Sequence, residues 1–169
     1  MIAVTATSNG VGIDLGSQAL VKSSTSSSNL GSGIVVGERG QVQQSTANGN
    51  GLAGILAGEN CLVTMNTAND NGHVNVVAEL AFFQKGIMIG RRCTASYNTA
   101  NGNRLFGVVG LGTGSLLTQN TAINNNTAAV EPKDFAAACP STLTFNDSTN
   151  GFPASYVLNG NGCHTANNN

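Results

Sequence analysis

Apolar and polar positions alternate in short bursts, punctuated by glycine and asparagine, and the bursts recur. Glycine followed by isoleucine or valine occurs at Gly12-Ile13, Gly33-Ile34, Gly54-Ile55, Gly86-Ile87 and Gly107-Val108, each closed a few residues later by Gly16, Gly37, Gly58, Gly90 and Gly112. The intervals are 21, 21, 32 and 21 residues. A second column, Thr25, Thr46, Thr67, Thr99 and Thr121, runs at 21, 21, 32 and 22, and a third holds Asn29, Asn50, Asn71, Asn103 and Asn125. A catalytic motif has to occur only once, so three columns in near-fixed phase describe a building unit. The long interval is a normal unit plus about eleven residues, placed within "HVNVVAELAFF", His73 to Phe83.

A unit of about 21 residues is too short for a pair of helices, and it is rich in Gly, Asn and β-branched residues where helices favour Ala, Leu, Glu and Lys. Val35-Val36 and Leu62-Val63 are short β-prone pieces bounded by turn residues. No Leu-x-x-Leu-x-Leu signature accompanies them. The pattern predicts a parallel β-solenoid in which each unit is one coil, paired with the coils above and below at about 4.8 Å. In the phrase x-N-T-A-x-x-N the small Ala turns inward at a bend, Thr faces out, and Asn side chains stacked in register hydrogen-bond along the axis. Asn also tolerates the left-handed backbone of tight corners.

The composite G-I-x-x-G-x-x-C-x-V-x-x-N-T-A-x-x-N resembles the bacterial right-handed parallel β-helix repeat proteins, whose architecture is shared with pectate lyases and phage tailspikes. The resemblance is clear from Ile2 to Asn126 and weak beyond. It implies an all-β, right-handed parallel β-helix of about 21 residues per coil and about seven coils. Residues 1–126 would form regular coils, with an insertion loop at about 72–83, and 127–169 would form irregular C-terminal coils closing the same domain. In the second part "CPSTLTFNDSTNG" aligns Cys139, Leu143, Asn146 and Asp147 with Cys61, Val63, Asn66 and Thr67, although Pro140 and Ser141 break strict register.

The four cysteines fall into two pairs by position. Cys61 and Cys93 each lie seven residues after the anchor glycine, and Cys139 and Cys163 are 24 apart, about one coil. A stacking distance near 4.8 Å suits a disulfide, and an oxidising compartment would form both bonds. Free thiols in a reducing compartment are the other reading. With no C-x-x-C and a single histidine beside Cys163, no metal site is expected.

Composition narrows the partners. Only 9% of the 169 residues are charged, the net charge is −1, and the basic residues are dispersed apart from Arg91-Arg92. No nucleic acid and no membrane insertion are therefore expected. Met1 to Thr5 lacks the form of a secretion signal, and no helix covers the first coil. The expectation is of missing N-terminal residues or of end-to-end homo-association.

Candidate chemistry is sparse. The carboxylates are Asp14, Glu38, Glu59, Asp70, Glu79, Glu131, Asp134 and Asp147. Stacking places Glu38, Glu59 and Arg91 in one row and Arg39, Asn60 and Arg92 in the next. Glu38, Glu59, Arg91 and Arg92 are the catalytic candidates, able to hold an acidic sugar or to act through Glu59 as acid or base. The competing reading is a solvated ion-pair row. His73, Glu79 and Lys85 lie in or beside the insertion, with Asp70 just before it, so that His73 and a carboxylate such as Glu79 could form an acid/base pair; the insertion otherwise packs on the flank or presents Phe82 and Phe83 to a protein or sugar. Thr46, Thr67 and Thr99, with Ser27, Asn48, Asn69, Asn101 and Ile123 two residues after successive members of the Thr column, suggest a flat array that could order water at ice.

The expected function is a non-catalytic extracellular β-helix module, structural, adhesive or carbohydrate-binding, facing a polysaccharide or cell-surface glycan. The alternative class is a polysaccharide-active lyase, hydrolase or epimerase. The resemblance implies Ca²⁺ only in the lyase case, and no other cofactor.

Overall fold

Alternation within three-residue strands decides which side chains enter the core. The computed structural model describes residues 3–73, 82–126, 133–148 and 155–169, and among these every regular element is a strand. The first sheet contains β2 (Ile13–Leu15), β5 (Ile34–Val36), β7 (Ile55–Ala57), β9 (Ile87–Ile89), β11 (Val108–Gly110), β14 (Phe135–Ala138) and β17 (Tyr156–Asn159), all parallel neighbours in that order. The second contains β3 (Leu20–Lys22), β6 (Gln41–Gln43), β8 (Leu62–Thr64), β10 (Thr94–Ser96), β12 (Leu116–Thr118), β15 (Thr142–Thr144) and β18 (His164–Ala166). A third flank is narrower: β1 (Thr5–Thr7) pairs with β4 (Thr25–Ser27), single bridges join Thr25, Thr46, Thr67, Thr99 and Thr121, and β13 (Thr121–Ala122) pairs with β16 (Asp147–Ser148). Two seven-stranded sheets and a flank, each visited once per circuit, make a parallel β-helix.

Register is strict. Ile13, Ile34, Ile55, Ile87, Val108, Phe135 and Tyr156 are successive partners in one row. In the first sheet the two outer residues of each strand point inward, so Ile34 and Val36 are buried; in the second the middle residue does so, giving Val21, Val42, Val63, Ala95, Leu117 and Leu143. The third flank contributes Ala47, Ala68, Ala100 and Ala122, all buried, because a bend leaves room for only a small group. At the upper end the aliphatic row becomes aromatic, with Phe135 and Tyr156 stacked 4.9 Å apart.

Two rows of asparagine line the corners beside the third flank. Asn71 Oδ1 accepts the backbone N–H of Asn50 (3.0 Å) and its Nδ2 (3.1 Å), Asn103 does the same for Asn71, and Asn125 for Asn103. The row ends on Asp134, whose Oδ1 accepts both donors of Asn125. A second row runs Asn66, Asn98, Asn120, Asn146 and Asn168 by the same bonds. Backbone polar groups at a buried bend must find partners, and the carboxamide supplies both an acceptor to an N–H and a donor to a carbonyl of the preceding coil, while its Nδ2 also reaches the Asn oxygen of the next. The glycine before each row isoleucine leaves space for that carboxamide: a Cβ on Gly86 would lie 2.6 Å from Asn103 Nδ2.

Both cysteine pairs are disulfides, with Cα–Cα distances of 4.6 Å for Cys61–Cys93 and 4.9 Å for Cys139–Cys163. The alignment of Cys139 with Cys61 is corrected, because Ser141 occupies that row. Its hydroxyl accepts the Ser115 N–H, as the Ser115 hydroxyl accepts that of Cys93. The two residues inserted at Pro140 and Ser141 push Cys139 back to the end of β14, while Leu143, Asn146 and Asp147 keep their rows. In the fifth coil Leu111, not Gly112, stands over Gly90, since Leu111 donates its N–H to Ile89 as Gly90 does to Ala57.

Candidate functional site

Four outward features compete for a functional role, and the corner between the two sheets comes first. Glu38, Glu59 and Arg91 stack there, followed by Arg39, Asn60 and Arg92, all three in the left-handed region with φ near 55°. Arg91 Nε lies 2.7 Å from Glu59 Oε2, and Arg39 Nε lies 3.4 Å from Glu38 Oε1. All four side chains are about half exposed or more, so water screens the pairs and competes for their hydrogen bonds. Arg91→Ala should change unfolding free energy by no more than about 1 kcal/mol, measured by urea denaturation.

The residues that flank the insertion are joined by Gln84 Nε2 donating to Gly72 O at 2.9 Å. His73 is exposed; Glu79, its proposed partner, and Glu131 lie outside the described residues. Phe82 is exposed and meets Phe83 edge-on at 5.5 Å. Beneath them Lys85 is only 3% exposed. Its Nζ sits 3.7 Å from the Phe82 ring centroid and donates to the Phe82 carbonyl. Burial pushes this amine down to about 8. Phe82 and Lys85 form one wall of a cavity of about 400 Å³, with Phe106, Val109, Ala136 and Val157 among the others. It is an apolar recess with one amine at its rim.

The Thr column stands outward and half-buried, in register. Its second file is not a free array. Asn48 Oδ1 accepts the N–H of Asn69, Asn69 Oδ1 that of Asn101, and Asn101 Oδ1 that of Ile123. Those amides are tied along the axis, which leaves a lattice-ordering face only its threonines.

The fourth feature is the outer face of the second sheet, which sequence reasoning did not single out. Its first file is Gln41, Leu62, Thr94, Leu116 and Thr142, and its second Gln43, Thr64, Ser96, Thr118 and Thr144. The hydroxyls bond along the file, Ser96 Oγ to Thr64 at 3.1 Å and Thr144 Oγ1 to Thr118 at 3.0 Å. Between the levels of Gln43 and Thr144 neither file contains a charge. A period-two reading of each strand would have found it, but with one inward residue per strand the alternation is too short to stand out.

No family model and no curated protein sequence matches the chain. Its structure is similar to that of the A-module of mannuronan C-5 epimerase AlgE6 from Azotobacter vinelandii, with a TM-score of 0.69 and 15% sequence identity over 96% of this chain. The match covers 54% of the epimerase module, so the chain spans about half the length of that neighbour. At that identity the likeness is one of fold. Taken with the all-parallel sheets and the stacked rows, it identifies the chain as a parallel β-helix repeat protein.

Proposed function

We propose that this chain is a non-catalytic, extracellular glycan-binding module. The observation that supports it best is the outer face of the second sheet between the levels of Gln43 and Thr144, where hydroxyl and amide groups, with Leu62 and Leu116 among them, stand in files fixed at strand spacing without a charge. Sugars are recognised by hydrogen bonds from groups held in place beforehand, because any freedom lost on binding subtracts from affinity. Here the register, the asparagine rows and two disulfides supply that order before the ligand arrives. The disulfides fit an oxidising compartment. The neighbour of similar fold is a module of a polysaccharide epimerase, which lends the sugar reading further support.

A second reading, a polysaccharide-active enzyme, draws on the Glu59–Arg91 pair. Affinity electrophoresis through gels containing neutral or acidic polysaccharides tests both readings, with unsaturated products and reducing ends followed in parallel. The expected outcome is retardation without product. Turnover that Glu59→Gln abolishes would establish the enzyme instead, and no retardation in any gel would refute glycan binding.

A further inference from the structure

Between the second sheet and the third flank the chain turns through a single left-handed residue in every coil: Ser23, Gln44, Met65, Tyr97, Gln119, Phe145 and Asn167, with φ between 50° and 56°. The backbone bonds of these residues show them stacked. Gln44 donates to Thr64 O, Met65 to Ser96 O, Tyr97 to Thr118 O and Gln119 to Thr144 O. Bulky side chains are rare in this region, because Cβ crowds the backbone and only Gly and Asn enter it readily. Yet three of the seven are Met, Tyr and Phe, and they project outward at 55%, 54% and 58% exposure. Neither the core nor the corner gains from such side chains there. Strained, solvent-facing aromatics point to a use outside the fold.

Their surroundings specify the use. On one side of the ridge runs the hydroxyl file Thr64, Ser96, Thr118 and Thr144; on the other, past each buried corner asparagine, runs the outward column Thr67, Thr99 and Thr121, continued by Asp147 at the level of Phe145. Met65 and Tyr97 are one coil apart and Tyr97 and Phe145 two, so about 5 and 10 Å separate them along the axis. Gln119 fills the rung between the two rings. Two coils approximate the advance of two pyranose rings in an extended β-linked chain. An apolar face flanked by hydrogen-bonding groups on both sides matches a sugar ring, which has apolar C–H faces and an equatorial belt of hydroxyls.

We infer that the Met65–Tyr97–Phe145 ridge is the stacking platform for an uncharged, extended β-linked polysaccharide lying parallel to the helix axis. This rests on the glycan-binding reading above and adds ligand charge, polymer direction and the residues in contact. Tyr97 and Phe145 stack on alternate sugar rings, while the threonine hydroxyls on either side fix the polymer's register. Beside Phe145 the Thr column continues into the exposed carboxylate of Asp147, which repels an acidic polymer, whereas the cluster that contains arginines, Glu38, Arg39, Glu59, Arg91 and Arg92, sits at the opposite edge of the second sheet. A neutral polymer is therefore complementary to the ridge, and an acidic one is drawn to the other corner.

The test uses the intact chain in gels containing a soluble, uncharged β-1,4-glucan and, separately, an acidic polyuronate. Asn suits the left-handed corner better than an aromatic residue, so Tyr97→Asn and Phe145→Asn should unfold at the wild-type temperature or above, which separates lost binding from lost folding. Expected is retardation by the glucan that persists from about 0.05 to 0.5 M salt and weakens about tenfold or more in each variant. Glucan binding that survives in the double variant overturns the ridge while leaving the glycan module intact. Retardation by the polyuronate alone, lost in salt or in Arg91→Ala, does the same. Self-association that disappears in Tyr97→Asn would show the ridge to be a protein contact and overturn the inference. Failure to bind either polymer refutes the parent reading as well.

Discussion

Asn98→Ala should lower unfolding free energy by about 3–5 kcal/mol. Asn98 is 1% exposed and makes one rung of the second asparagine row. Its Oδ1 accepts the Asn66 N–H at 3.0 Å and Asn66 Nδ2 at 3.1 Å, and its Nδ2 donates to Val63 O at 2.9 Å. Alanine leaves a buried N–H, a buried amide and a buried carbonyl short of partners, and each such group costs about 1–3 kcal/mol. The chain contains its own control. One and two coils below Asn66 the row is held by Ser45 and Ser24, and Ser45 Oγ accepts the Ser24 N–H at 3.2 Å while donating to Gln43 O at 2.9 Å. A hydroxyl thus reproduces the acceptor role, although it donates to a carbonyl of its own coil and leaves that of Val63 unserved, so Asn98→Ser should cost less than Asn98→Ala. Urea denaturation with matched m-values measures both, and equal losses would mean that packing, not the bonds, holds the corner.

Ile87→Ala should cost about 3–5 kcal/mol, the upper part of the range for large-to-small core changes. Ile87 is fully buried between Ile55 and Val108. A void closes when neighbours can slide into it, and here they cannot. Ile87 N–H donates to Gly107 O at 2.8 Å, and Ile55 N–H to Gly86 O at 2.9 Å, which fixes the coil spacing on either side. Ile87→Val should cost only about 0.5–1.5 kcal/mol. Coils touch only their neighbours, so stability is close to a sum over adjacent interfaces. Weakening the middle interface should broaden the transition or split it in two, visible as non-coincident unfolding by circular dichroism and by hydrogen exchange.

The regular half of the fold was legible because its rows repeat a residue type: the Ile, Thr and Asn29 to Asn125 columns can be read by counting. The second asparagine row was harder to see, since its first members are Ser24 and Ser45, chemically equivalent at the corner but different letters. Cys139 was displaced because counting assumes constant phase, and the two residues at Pro140 and Ser141 alter it. The acidic end of the first row was hidden for a related reason, because Asp134 stands in the glycine row and only its side chain reaches Asn125. As for function, the residue before each corner Asn looked like filler, varying freely among Ser, Gln, Met, Tyr and Phe. The sequence contains no sign that this slot is left-handed, and only that backbone turns Tyr97 and Phe145 into an outward ridge.

The clasp between Gly72 and Gln84 has a practical consequence. Gly72 still donates to Asn50 O, and Gly54 N–H reaches Lys85 O, so the rungs on either side of the insertion keep the register of the stack. Closing a longer excursion between fixed ends grows costlier only logarithmically, about 0.6 kcal/mol per doubling. The site is therefore a built-in port: foreign peptide spliced there should be displayed by the scaffold without rewriting any of the rows that hold it together.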